Sequence, residues 1–204
     1  IADAGTNCKS VSPKAVVSTG NFLAWMGENS FFVYDGVVRE IKCDVHDYVF
    51  DNINVPGRAA SWGGHNSNFN EIWWGFPVGE SQYSSNKYVI WNYVYNVWSI
   101  GSMDRGAWID QGAFTYPISG DSSGFVYEHE STSLENSPSI GSQVPFCQTG
   151  PIQIGNGDRY VQCNQIIPDE EANSLPGVTL SFKGKFTPLG PETDFGSFTF
   201  ENDG

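Results

Sequence analysis

The sequence predicts an all-β, turn-rich protein with one short helix, and three observations point there. Twenty-three glycines, eleven prolines and 15% aromatic residues are spread over 204 positions, which suits many short strands joined by tight turns. No long stretch is dominated by Ala, Leu, Glu or Lys, so extended amphipathic helices are not expected. One strand pattern also recurs. Phe32-Val33-Tyr34-Asp35, Val89-Ile90-Trp91-Asn92 and Phe125-Val126-Tyr127-Glu128 each run apolar residues into an aromatic and then an acid or amide. The aromatics are unevenly separated, from 34 to 91 and then from 91 to 127. Irregular loops between similar four-stranded units are what a degenerate β-propeller would produce.

The elements follow in chain order. Residues Ile1 to Ser18 read as a small, polar end segment, with Pro13 and then Val16-Val17. Phe22-Leu23-Ala24-Trp25-Met26 is the first expected strand, Gly27 to Ser30 a turn, and Phe31 to Gly36 the return strand with its own turn. Val37 to Ile41 follows as a third strand. Val45, Tyr48, Val49 and Asn52-Ile53 fall at helical spacing, which predicts the one short helix, with Asp44 suited to its N-cap. Ala59 to Gly63 then leads into a polar turn from Asn66 to Asn70.

The stretch Glu71–Gly101 carries the densest signal. Ile72-Trp73-Trp74-Gly75-Phe76 and Tyr88-Val89-Ile90-Trp91-Asn92 flank turn formers, and Asn96-Val97-Trp98-Ser99-Ile100-Gly101 closes the run. Four of the seven tryptophans lie here. An apolar strand, an aromatic, an amide, a few turn residues and then Trp match the strand–turn–strand of a kelch-like propeller blade. A Trp at that place is expected to pack between neighbouring blades, so Trp73, Trp74, Trp91 and Trp98 are read as packing residues. Gly106 to Gly112 reads as a strand or blade edge, and Tyr116-Pro117-Ile118 with a turn from Ser119 to Gly124 feeds the third repeat.

Composition shifts near Ser131, and Ser131 to Pro138 is a linker candidate. Residues 1–145 are therefore assigned to propeller blades and 146–204 to the start of a second, β-sandwich-like domain. Its strands are expected at Ile152–Ile154 and Tyr160–Cys163 around a Gly155–Asp158 turn, at Val178–Lys183, and at Ser197–Phe200. Four strands are few for an independent sandwich, so this domain reads as incomplete. Beginning at Ile1 and not Met, the chain reads as a processed product or a fragment.

Twenty-three acidic against ten basic residues give a net charge of −13. That opposes tight binding to a phosphate backbone, which depends on Lys and Arg displacing counterions. From Gly106 to Asp158 there is no Lys or Arg, while Asp110, Asp121, Glu128, Glu130, Glu135 and Asp158 accumulate. The plain reading is a solvated acidic surface; the sharper one is a wall past which nucleic acid slides without sticking. No run approaches the roughly 18 apolar residues of a membrane span, and no secretion signal is visible. Cys8, Cys43, Cys147 and Cys163 are widely spaced, which disfavours zinc and, without a secretion signal, favours reduced, mostly buried thiols over disulfides.

Catalytic patterns are sparse. His46, His65 and His129 are the whole histidine stock, and His129 cannot converge with Glu128 and Glu130 because strand neighbours point to opposite faces. No Gly-x-Ser-x-Gly occurs, and Gly155-x-Gly157 lacks the remaining features of a phosphate loop. Glu28, Asp35, Asp104 and Asp110 are available as the carboxylate pair a glycoside hydrolase needs, though the sequence alone places no two of them at the required separation. No catalytic, cofactor or metal residue is assigned, and the chain is read as a non-enzyme.

Several ordered segments resemble those of tailed-bacteriophage tail proteins of the nozzle (tail tubular protein B-like) type. They are Ala24 to Gly36, Cys43-Asp44-Val45 with Asp47 to Phe50, Phe69 to Trp74, Tyr88 to Tyr93, Ala107 to Asp110, Tyr127 to Glu130, Ile154 to Asp158 and Ile166 to Asp169. The resemblance implies a structural virion protein, assembled in the bacterial host cytoplasm. It would self-associate as a ring, typically of six subunits, below the portal and adaptor, and DNA would pass through it during ejection without sequence-specific binding. Family members are several times longer, so a complete propeller is not expected from this chain alone. The competing expectations are a carbohydrate-binding or carbohydrate-degrading β domain, and a secreted propeller adhesin with disulfides.

Overall fold

The computed structural model describes residues 7–80, 83–131, 147–150, 152, 162–165, 178–187 and 190–200. The chain divides into two compact units, Ile1–Ile140 and Gly141–Gly204. Among the described residues it is mostly β, with thirteen strands in antiparallel sheets, two 3-10 turns and one short α-helix.

The first unit contains three sheets, each a meander in which sequence neighbours pair. Sheet I holds β1 (Val16–Ser18), β2 (Leu23–Met26), β3 (Phe31–Tyr34) and β4 (Val38–Ile41). Sheet II holds β5 (Trp62–Asn66), β6 (Glu71–Phe76), β7 (Ser85–Asn92) and β8 (Val97–Arg105). Sheet III holds β9 (Ala107–Ile109), β10 (Ile118–Gly120) and β11 (Val126–Glu128). The recurring pattern falls on the third strand every time, on β3, β7 and β11. Its polar residue works in the next turn in sheet II, where Asn92 Oδ1 accepts from the Val94 and Tyr95 amides at 3.1 and 3.0 Å. Asn96 closes that turn at φ +54°, a left-handed value that Asn tolerates better than most residues.

Period-two alternation gives each sheet two faces. In sheet I, Val17, Ala24, Met26, Phe31 and Ile41 share a buried face. Ile72, Trp74, Val89, Trp91 and Trp98 of sheet II pack toward it, with Trp74 and Trp98 each 4.9 Å from Phe31 between ring centroids. Trp62, Gly64 and Trp73 lie on the other face of sheet II and meet Trp108 of sheet III, with Tyr88 stacked on Trp73. Consecutive sheets therefore stack in one sense, the second face of each against the first face of the next. Their first strands lie side by side, β1 against β5 and β5 against β9.

Some elements depart from expectation. Val16–Ser18 is a strand ahead of the expected first one; three residues are too few to display a period. Trp62–Asn66 is likewise a strand with two glycines, and it takes in Asn66, which was expected to open the polar turn. The glycines are there for close approach: a Cβ on Gly63 would lie 2.5 Å from the Val17 side chain, and one on Gly64 2.3 Å from Trp108. Ser119 and Gly120 belong to β10, so the following turn is confined to Asp121–Gly124. The α-helix spans His46–Phe50 with Val45, not Asp44, at the N-cap and no side-chain cap bond. The His46 amide donates to Cys43 O at 3.3 Å, which places Asp44 inside the entering turn. Val49 is the helix's buried anchor.

In the second unit, β12 (Val178–Lys185) and β13 (Glu192–Phe200) form a two-stranded ribbon. Leu180 pairs with Phe198, while the alternate face carries Thr179–Thr199 and Ser181–Ser197 hydroxyl pairs at 2.9 and 2.7 Å. The strands expected around Gly155–Asp158 and the linker at Ser131–Pro138 fall largely outside the described residues.

Candidate functional site

The chemistry-bearing residues of the first unit gather along the two seams between sheets. In the first seam Trp74 is fully buried and donates from Nε1 to Ala15 O at 3.0 Å. Trp98 donates to Lys42 O at 3.1 Å and stacks at 5.8 Å on Trp91. Each indole thus adds a hydrogen bond to sheet I to its apolar contact. In the second seam Trp108 stacks on Trp73 at 5.2 Å and on Trp62 at 6.0 Å, and donates to His65 O at 2.8 Å. Trp25 also belongs to the packing, donating to Cys8 O at 2.7 Å.

A polar latch crosses the second seam. Asp110, just past β9, accepts from the Ser67 and Gln111 amides through Oδ1 at 3.2 and 2.8 Å. Its Oδ2 lies 3.2 Å from His65 Nδ1. The Tyr93 hydroxyl sits 3.2 Å from both His65 Nε2 and Asn70 Oδ1, and its one proton serves one of them at a time. Burial holds His65 below its ordinary pKa against the opposing pull of Asp110, so the ring is neutral near pH 7. A carboxylate, an imidazole and a phenol in a row are the parts of a proton relay. Here the two Asp110 amide bonds and the Tyr93–Asn70 contact tie both of its ends to the protein.

His129 makes the other cluster. Its Nε2 receives Ser119 Oγ at 2.5 Å and Arg105 Nε at 3.2 Å, and its ring lies 4.8 Å from Trp108. Burial first, and the Arg105 guanidinium second, hold its pKa down to about 4. Ser119 is itself buried, and the ring nitrogen it meets is shared with Arg105. The arrangement carries a pH dependence. Unfolded, the ring returns to its ordinary 6.5, so folding loses stability as the pH falls from that value toward 4, and loses none of it above. The loss is on the order of 2 kcal/mol once solvent screening of the part-exposed ring is allowed for. The His129→Asn variant is expected to show a shallower fall of urea midpoint between pH 6.5 and 4. An unchanged slope would contradict the assignment.

The sequence candidates are otherwise dispersed. Glu28 pairs with Arg58 at 2.9 Å and Lys9 at 3.7 Å, Asp35 pairs with Arg39, and Asp104 accepts from Ser122. Asp110 belongs to the latch. No two of the four carboxylates share a site. His46 bonds to Asp47 and to Asn29 O, which together raise its pKa. Arg105, Ser119 and Tyr93 carried no signal in the sequence; only pairing of distant strands reveals them. Among the described residues no group of three or more His, Cys, Asp or Glu is placed to hold a metal ion, and no helix is long and apolar enough to cross a membrane. All four cysteines are free thiols, but only Cys43 is buried; Cys147 and Cys163 are exposed, contrary to expectation. Burial pushes the Cys43 thiol up to about 11.

A groove of about 370 Å³ opens where sheets I and II meet, between Phe22, Val33, Trp91 and Tyr93, with Arg39 and Lys42 on its rim. Phe22 and Tyr93 meet Trp91 edge-on, at 6.2 and 6.1 Å, and Trp91 is only 7% exposed. Neither the comparison with protein-family models nor that with curated proteins returned a match.

Proposed function

We propose that this chain is a structural component of a bacteriophage tail, of the nozzle type, acting by assembly and not by catalysis. The supporting observation is the placement of the repeat. Its three copies occupy the third strands of three successive meanders, with first strands adjacent and tryptophans filling the seams. That placement supports reading the three sheets as kelch-like propeller blades. The phage assignment itself rests on the ordered sequence segments given above. On this reading the protein self-associates in a ring in the virion, next to portal, adaptor and other tail proteins, and DNA passes through without sequence-specific contact.

The acidic stretch takes a narrower role than its composition implied. Asp110 and Asp121 are spent on backbone amides, Asp121 accepting from Ser123 and Phe125 at 2.9 and 2.8 Å. Glu128 and Glu130 are exposed on either side of half-buried His129 and remain as candidates for a channel lining. In electron cryo-microscopy of the assembled ring, both are expected to face the lumen. Their facing outer solvent would remove the conduit role from this stretch. The carbohydrate reading weighs less, because of the four candidate carboxylates only Asp35 lines the groove, and it is paired with Arg39.

A further inference from the structure

The second seam holds a buried amide whose polar atoms meet nothing. Asn66, the last residue of β5, is fully buried, and neither its Oδ1 nor its Nδ2 has a hydrogen-bond partner. Exchanging the two atoms would not help, because both lack one. Such a group is costly to leave unmet, and an ordered water or an ion is the usual answer. The strand register sets Asn66 directly opposite Glu71, so the two side chains leave the same face side by side, toward sheet III. Glu71 is half-buried, and its Oε2 accepts from Trp73 Nε1 at 2.9 Å. Burial first, and then the charge of Glu130, raise its pKa against the pull of that bond. Glu130 comes from the other side of the seam, two residues past β11. Among the described residues no cation pairs with either carboxylate, and the chain carries no Lys or Arg from Gly106 to Asp158.

We propose that Asn66 Oδ1, Glu71 and Glu130 bind a divalent cation, calcium, across the second seam. All three are hard oxygen donors, and calcium accepts carboxylates, amide carbonyls and waters together at about 2.3–2.6 Å. That approach is closer than a hydrogen-bonded water makes, which suits an oxygen as enclosed as that of Asn66. Glu130 is exposed, so solvent completes the shell on its side. Magnesium fits less well, because it demands a near-ideal octahedron and keeps most of its waters. With two carboxylates in the set, the expected affinity is modest, in the range of about 10⁻⁴–10⁻³ M.

Terbium luminescence on the 204-residue chain tests this. Tb³⁺ takes the oxygen ligands of calcium, and Trp73, bonded to Glu71, is placed to sensitise its emission. Tryptophan excitation is expected to give a saturable terbium signal that Ca²⁺ displaces and Mg²⁺ displaces much less. Glu71→Gln and Glu130→Gln are each expected to weaken Ca²⁺ binding at least about tenfold, since affinity follows ligand charge. Glu130→Gln changes an exposed residue, and an unchanged circular dichroism spectrum is expected to show that its fold is intact. Glu128→Gln removes the same charge two residues away and is expected to bind as before, which separates a site from diffuse attraction to a chain of net charge −13. No saturable signal below about 10 mM ion, tenfold above the expected range, overturns the proposal. Equal weakening by Glu128→Gln overturns it too. Either failure leaves the tail reading standing, because that reading is tested in the assembled ring, where Glu130 can face the lumen with or without an ion.

Discussion

Replacing Trp74 by alanine is expected to destabilise the first unit by about 3–5 kcal/mol, the range for emptying a buried aromatic site. The residue is fully buried, contacts Phe31 at 4.9 Å and ties its indole to Ala15 O. The cavity would open between two sheets, where neither can collapse without breaking its own ladder. The loss should appear as a lower urea midpoint together with changed near-ultraviolet circular dichroism. Trp98→Ala is expected to cost less, because Trp98 is only half-buried. Equal costs for the two would mean that the first seam is not organised around Trp74.

Gly64→Ala should cost on the order of 1–3 kcal/mol by overpacking, a large effect for one methyl group. The new Cβ would stand 2.3 Å from Trp108 Cγ. Trp108 cannot step aside freely, since it is stacked on Trp73 and Trp62 and bonded to His65 O. Moving it sacrifices a net hydrogen-bond contribution of about 1 kcal/mol as well. Gly106→Ala is the matched control: its Cβ would meet nothing within 4 Å and its φ is not left-handed. Comparable melting temperatures for the two variants would show that the second seam yields more easily than its stacked rings imply.

What the sequence made legible was whatever is local. The Phe31–Tyr34, Glu71–Phe76 and Ser85–Asn92 strands announce themselves by alternation and aromatic content, and their turns by Gly, Asn and Asp. The third-strand position of the repeat was not legible, because the unforeseen β1 moves Phe31–Tyr34 from second place to third. Strands built on exceptions were hidden. Trp62–Asn66 is rich in glycine because a neighbouring sheet presses on it, a cause that lies at Val17 and Trp108 and not within the strand. The polar clusters were hidden for a like reason. His65 needs Asp110 and Tyr93, and His129 needs Arg105 and Ser119, all brought close by sheet pairing. Reading each histidine alone left it without an assigned role and gave no hint of the seam it fastens.

The meander topology also bears on how the chain reaches its structure. Every ladder in the first unit joins strands adjacent in sequence, so loop closure within a sheet is short and entropically light. Sheets I, II and III can each form as the chain emerges, in order, without waiting for distant partners. The ties that span the sequence include the indole bonds across the seams, Trp74 to Ala15, Trp98 to Lys42 and Trp108 to His65, beside the Asp110 latch. Those close last, and the tryptophans are therefore the residues that turn three separately formed ribbons into a single cooperative body.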